Sequence, residues 1–124
     1  MGKDVRGGCF NDDNKFDIDL KFGNLGESEL VKVLSAETLE VKTDRIAHET
    51  GNVVVEFECY GKPSGISVSK ASHYAFVCKH ITLIIETQKL KDIIASKNFY
   101  QVFGGDNNRS HMYLVPIKEL IKYV

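Results

Sequence analysis

A disulfide framework, a cysteine zinc site, a membrane span and a broad basic field are all missing from this sequence. Its three cysteines, Cys9, Cys59 and Cys78, are odd in number and lack CxxC spacing, which argues against a disulfide scaffold and points to a reducing compartment. The four histidines, His48, His73, His80 and His111, have no zinc-like spacing with cysteine or with one another. Charge of neither sign dominates. Sixteen Lys and Arg against 17 Asp and Glu leave a net charge of −1, so any nucleic-acid-attracting surface has to be local.

Long apolar runs are absent too. The longest, around Ile81 to Ile85, is far below spanning length, and the N-terminal MGKDVRGGCFNDDNK contains no apolar signal core. Arg6 stands where a myristoylation signal requires Ser or Thr. Neither the G-x-x-x-x-G-K-[ST] nor the G-x-G-x-x-G phosphate loop occurs. The expectation is a soluble cytoplasmic protein with no membrane partner.

What is present is enough for one core. A chain of 124 residues with 43% hydrophobic content predicts a single domain over 16–124 after a polar, Gly-rich N-terminal arm over 1–15. FDIDLKFG alternates as a half-exposed strand, and GESELVKVLS repeats Leu30, Val31 and Leu34 at helical spacing. Extending that stripe back one turn places Glu27 on the core-facing side of the helix. Thr38 to Lys42 and Asn52 to Tyr60 read as strands, and the medium loop between them suggests an antiparallel hairpin. YGKPSGISVSKAS is turn-rich, with room for a short helical segment. YAFV and ITLIIE are further strands, and Thr87 is a candidate cap for a helix carrying Leu90, Ile93 and Ile94. MYLV is a last strand, Pro116 suits a first helical turn, and Ile117, Leu120, Ile121 and Val124 make a closing stripe. Tyr74, Phe76, Phe99, Tyr100, Phe103 and Tyr113 are read as core aromatics on strands. The fold class is α/β, a mixed sheet with an antiparallel hairpin flanked by helices.

The charges on those strands carry the functional argument. Residues two apart share a strand face, so Glu40, Lys42 and Asp44 project together, as do Glu56 and Glu58. Paired in a hairpin, the two sets put carboxylates opposite one another, which costs free energy unless a cation sits between them. Carboxylate oxygens completed by water suit Mg²⁺ or Mn²⁺, and Glu27 can add another oxygen from the helix. Metal-assisted phosphodiester hydrolysis fits that set, with Lys42 placing the attacking water and neutralising developing charge. Lys62, Ser64, Ser67 and Lys70 in the turn-rich loop, with Arg45 and His48 between the strands, are candidate backbone-phosphate contacts.

Glu40-Val41-Lys42, after an acidic helix and before a strand, a turn and another strand, resembles the PD-(D/E)XK, restriction-endonuclease-like nuclease superfamily. The blocks "LEVKTDR", "TGNVVVEFE", "GKPSGI" and "SKASHYAFV" are similar to small bacteriophage-encoded members, over roughly Phe16 to Leu90. That resemblance implies a restriction-endonuclease-like core and an Mg²⁺- or Mn²⁺-dependent deoxyribonuclease acting on DNA in the host cytoplasm, in phage DNA metabolism or host DNA degradation. It also implies endonuclease action and a homodimer. Its alternative is a non-catalytic phage module that keeps the fold and binds DNA or protein. Carried onto this chain, Glu27 matches the helix acid and Glu40 with Lys42 matches E-x-K. The family's Asp has no counterpart between the helix and Glu40. Asp17 or Asp19 can fill that slot, or Glu40 can take it with Glu56 as the following Glu, which leaves Glu58 at the lysine position.

Overall fold

The computed structural model describes residues 26–35 and 38–123. The predicted arm over 1–15, the strand over 16–23 with Asp17 and Asp19, Glu37 and Val124 lie outside the described residues. The chain divides into two compact units, Met1–Leu34 and Ser35–Val124.

In the first unit, helix α1 covers 26–33, within the predicted GESELVKVLS segment. Its exposure departs from the expectation. Leu30, Val31 and Leu34 are exposed and Val33 is the buried residue, while Glu27, at the end of the Leu30/Val31/Leu34 stripe, is exposed as well. Helical spacing defines which residues share a face but not whether another element covers it.

The second unit holds strands β1 (Leu39–Thr43), β2 (Asn52–Cys59), β3 (Lys62–Pro63), β4 (His73–Val77), β5 (Thr82–Glu86), β6 (Gln101–Gly104) and β7 (Ser110–Pro116). Helices α2 (Ala47–Thr50), α3 (Thr87–Ser96) and α4 (Ile117–Leu120) lie between and after them. The strands form two sheets, ordered β1-β4-β5 and β3-β2-β7-β6. The first is mixed, since β1 runs parallel to β4 and β4 antiparallel to β5; the second is antiparallel throughout. The fold is therefore α/β with a mixed sheet, as the patterning indicated.

The predicted pairing of β1 with β2 is corrected. β1 pairs with β4, register Glu40 to Tyr74 and Lys42 to Phe76, whereas β2 lies between β3 and β7 in the other sheet. Sequence neighbours with alternating residues carry no partner information, and the segment between them, expected as polar loop, folds into α2 and redirects the chain. The true hairpin partner of β2 is β3. Tyr60 and Gly61 both take positive φ, 58° and 76°, the geometry of a two-residue type I′ turn, for which glycine at the second place is suited.

One core joins both sheets. Val53, Val55 and Val115 from the antiparallel sheet meet Tyr74 and Phe76 from the mixed sheet, with Leu90 and Ile93 of α3 and Ile66 of the turn-rich loop. Full burial of each such aliphatic side chain contributes roughly 1.5–3 kcal/mol. Thr87 does not cap α3: it is the helix's first residue, Glu86 takes the cap position without a side-chain bond, and the buried Thr87 hydroxyl has no partner among the described residues. Two predicted core aromatics are also exposed, Tyr100 and Phe103. They lie beside and on β6, an end strand among the described residues, so burial is not imposed on both faces.

Among the described residues no helix is long and apolar enough to cross a membrane.

Candidate functional site

Charged side chains from both sheets converge on one cavity of about 170 Å³. Lys42, Thr43 and Asp44 form one wall, Val54, Val55, Glu56 and Met112 another, and Gly65, Tyr74 and Phe76 complete it. Strand alternation explains the first wall. Parallel register sets Glu40 and Lys42 on the sheet face of the buried Tyr74 and Phe76, and Lys42 Nζ lies 3.1 Å from Glu40 Oε2. Both partners are partly solvated, so the pair contributes at most about 1 kcal/mol and acts mainly to hold the ammonium.

Asp44 follows β1 directly. Its backbone N–H extends the sheet by donating to Val77 O at 2.9 Å, and its Oδ1 accepts from Ile46 N at 3.0 Å, the short-range turn bond that aspartate favours before a helix. The other carboxylate oxygen has no partner among the described residues. Glu56 is arranged alike. Ser64 Oγ donates to its Oε2 at 2.7 Å, which leaves Oε1 without a partner among the described residues.

Tyr74 forms the floor and is 2% exposed. Burial pushes its phenol above the ordinary value; the neighbouring Ser69 hydroxyl opposes the shift, Glu40 raises it, Lys42 lowers it and Glu56 raises it. The Tyr74 hydroxyl is buried with no hydrogen-bond partner among the described residues. Such a group costs about 1–3 kcal/mol. Glu40 stands opposite Tyr74 in the register, and Lys42 and Glu56 line the same cavity as its ring.

Glu56 and Glu58, predicted to share a face, do not. The register shifts between them: Glu56 stands opposite Met112 and Glu58 opposite His111, consecutive residues of β7. Phe57 is the extra residue of a β-bulge, and a bulge breaks the two-residue alternation. Glu56 therefore faces the cavity, while Glu58 Oε1 lies 3.4 Å from His111 Nδ1 on the opposite face.

The turn-rich loop is tied to β2. Besides the Ser64 bond to Glu56, Ser67 Oγ donates to Phe57 O at 2.8 Å, so both hydroxyls predicted to hold phosphate are engaged in fixing the loop. Lys62 and Lys70 are exposed. Arg45 is exposed beside Asp44, and His48 lies 3.5 Å from Glu49. Cys59 and Cys78 are free thiols; burial, then Asp44, raises the Cys78 thiol above its ordinary pKa, the reverse of an activated nucleophile.

Among the described residues no three His, Cys, Asp or Glu side chains group as a metal site. Asp44 and Glu56 line the same cavity, each with one carboxylate oxygen that has no hydrogen bond among the described residues, and Mg²⁺ commonly takes one or two carboxylates and keeps several waters. Asp44, an additional candidate in the sequence, lines the cavity with Lys42 and Glu56, whereas Glu40 is not among its lining residues. The signal for Asp44 is position, immediately after Glu40-Val41-Lys42-Thr43 at the strand's end.

Comparison with protein families, curated proteins and solved structures finds no match for this chain.

Proposed function

We propose that this protein is a divalent-metal-dependent deoxyribonuclease, in which Asp44 and Glu56 hold Mg²⁺ or Mn²⁺ and Lys42 assists phosphodiester hydrolysis. The carrying observation is the single cavity that gathers Lys42, Asp44 and Glu56 from two sheets. Asp44 then takes the family's Asp place and Glu56 its following acid. When bound, the ion supplies charge neutralisation at the scissile phosphate and a more acidic water. The protein's own groups do the rest. Lys42, held by Glu40, orients the attacking water and counters negative charge on the phosphate. Ser64 fixes the Glu56 carboxylate, and the bend at Asp44 fixes the other acid.

A non-catalytic binding module is the second reading, favoured by the sequence having no Asp between Glu27 and Glu40, where the nuclease family carries one. Incubating plasmid, linear and branched DNA with Mn²⁺ separates the two. Wild-type protein is expected to cleave at least one substrate, and Asp44→Asn and Glu56→Gln to lose roughly 10²–10³-fold. Absence of cleavage, together with calorimetric Mn²⁺ titrations that are the same for wild type and Asp44→Asn, would overturn the nuclease reading.

A further inference from the structure

The bulge that separates Glu56 from Glu58 builds a second feature on the other face of the antiparallel sheet. Phe103 stacks on His111, with ring centroids 4.2 Å apart and 15° between planes. His111 meets Phe57 at 4.5 Å, and Phe57 stacks on Tyr113 at 4.3 Å and 28°. Three strands thus contribute to one row of rings. Register explains its outer half, because Phe103 and His111 are directly opposed across β6 and β7.

The row is open at its end. Phe103 is 62% exposed; His111 covers one ring face and no other aromatic ring of the described residues stacks on it. At its inner end, Phe57 and Tyr113 line a groove of about 480 Å³ with Ile66, Ser67, Lys91 and Ile94. That volume falls in the roughly 300–1,000 Å³ range of small-ligand sites. At the outer end of the same sheet, Arg109 lies 4.5 Å over the ring of Tyr60, which is 61% exposed.

Charge selects among planar ligands. Lys91 and Arg109 make no ion pair among the described residues, and Glu58, the carboxylate within the row, is bonded to His111. A row of rings with Lys91 at its groove and Arg109 two residues before His111, neither ion-paired among the described residues, suits planar groups joined by anionic links. Duplex DNA hides its base faces by stacking them on one another, whereas a single strand can offer them to aromatic side chains. We propose that this face binds single-stranded nucleic acid, with a base extending the stack on Phe103, a second in the Phe57–Tyr113 groove, and phosphates met by Arg109 and Lys91. The platform lies across β2 from the cavity and does not depend on the cavity's chemistry.

The test is fluorescence anisotropy in EDTA, so that no cleavage enters, using a labelled oligothymidylate of about 12 nucleotides, within the roughly 4–16 such platforms engage. A duplex of the same length is the comparison. Wild-type protein is expected to prefer the single strand. Phe103→Ala and Phe103→Leu should weaken it about 5- to 150-fold, the span of one lost base stack, while their melting temperatures stay near wild type because the ring is exposed. Lys91→Ala with Arg109→Ala should lower the salt slope by about one per contact removed. Because the assay runs in EDTA, where no metal-dependent cleavage occurs, single-strand preference and its loss in the Phe103 variants are read separately from the nuclease reading. Equal affinity for duplex and single strand, or unchanged binding in both Phe103 variants, overturns the proposal. So does a wild-type dimer in sedimentation that Phe103→Ala converts to monomer without altering oligonucleotide binding, since the face would then be a protein interface.

Discussion

Glu56 and Glu58 are two residues apart on one strand and project from opposite faces of it, because Phe57 is the extra residue of a bulge against β7. The consequence is a division of labour within β2. Glu56 joins Lys42 and Asp44 on the cavity, and Glu58 joins His111 in the aromatic row.

Charge-neutral replacements test that division. Glu56→Gln is expected to lower Mn²⁺-dependent DNA cleavage by roughly 10²–10³-fold, and Glu58→Gln to leave it within a few-fold of wild type. Initial rates of plasmid nicking at fixed Mn²⁺ measure both. Equal losses would place the two carboxylates in one site and contradict the bulge assignment.

Ser64 reaches Glu56 with a 2.7 Å hydrogen bond to a charged acceptor, of a class worth about 1.5–3 kcal/mol. Ser64→Ala should therefore lose both stability, by roughly that amount, and activity, as the carboxylate gains freedom. Urea denaturation gives the first. A cleavage rate corrected for folded fraction gives the second, expected about 10-fold down and restored by Ser64→Thr if its hydroxyl reaches the same oxygen.

Much of this arrangement was legible in the sequence, and the failures are specific. Alternation marks β1 and β2, whereas β4, β5 and β7 are marked by short apolar runs, and β4 is buried on both faces, with Tyr74, Ala75 and Phe76 all in the core. Neither signal could show that Glu40 stands beside Tyr74 rather than opposite Glu56, since pairing depends on contacts far along the chain. A bulge is invisible to a period-two count, so Glu58 was grouped with Glu56. Asp44 falls outside the E-x-K spacing, so the pattern does not single it out, whereas in the structure it is held by a turn bond to Ile46 and lines the cavity. An aromatic on a strand reads as core, but Phe103 lies on an end strand among the described residues, where burial is not imposed on both faces.

Acid stability should carry the signature of Glu119. Hydrogen bonds from Lys97 at 2.8 Å and Lys122 at 2.9 Å pull its pKa from the ordinary 4.5 to about 2, outweighing a smaller upward push from burial. The folded state thus binds this proton more weakly than the unfolded state. That contribution is complete above about pH 4.5 and is lost as pH falls toward 2. Melting temperatures across this window should fall less steeply for Glu119→Gln than for wild type, from a lower starting value at neutral pH. Parallel curves would show that another group governs the acid limb. Added salt should weaken the effect, since both lysines are about half exposed.

Gly65 links the turn-rich loop to the cavity, and it has two independent reasons to be glycine. Its φ is +51°, and a β-carbon built there would overlap the carbonyl oxygen and carbon of Glu56. Left-handed conformation alone costs a non-glycine residue roughly 1–2 kcal/mol. The overlap adds to that, because the obstructing atoms are backbone and can yield only if β2 shifts at Glu56, the acid proposed to hold the metal. Gly61 provides the control: its φ is +76°, but a β-carbon there meets nothing within 4 Å. Gly61→Ala is thus expected to cost the conformational amount and leave cleavage by the folded protein intact. Gly65→Ala is expected to cost more, by an overpacking penalty of about 1–3 kcal/mol, and to reduce cleavage beyond what its folded fraction explains. Urea titrations of the two variants, with cleavage assayed where both are folded, measure the difference. Equal destabilisation with equal activity would mean that β2 yields at Glu56 without cost and that the close approach of loop and strand does not position the acid.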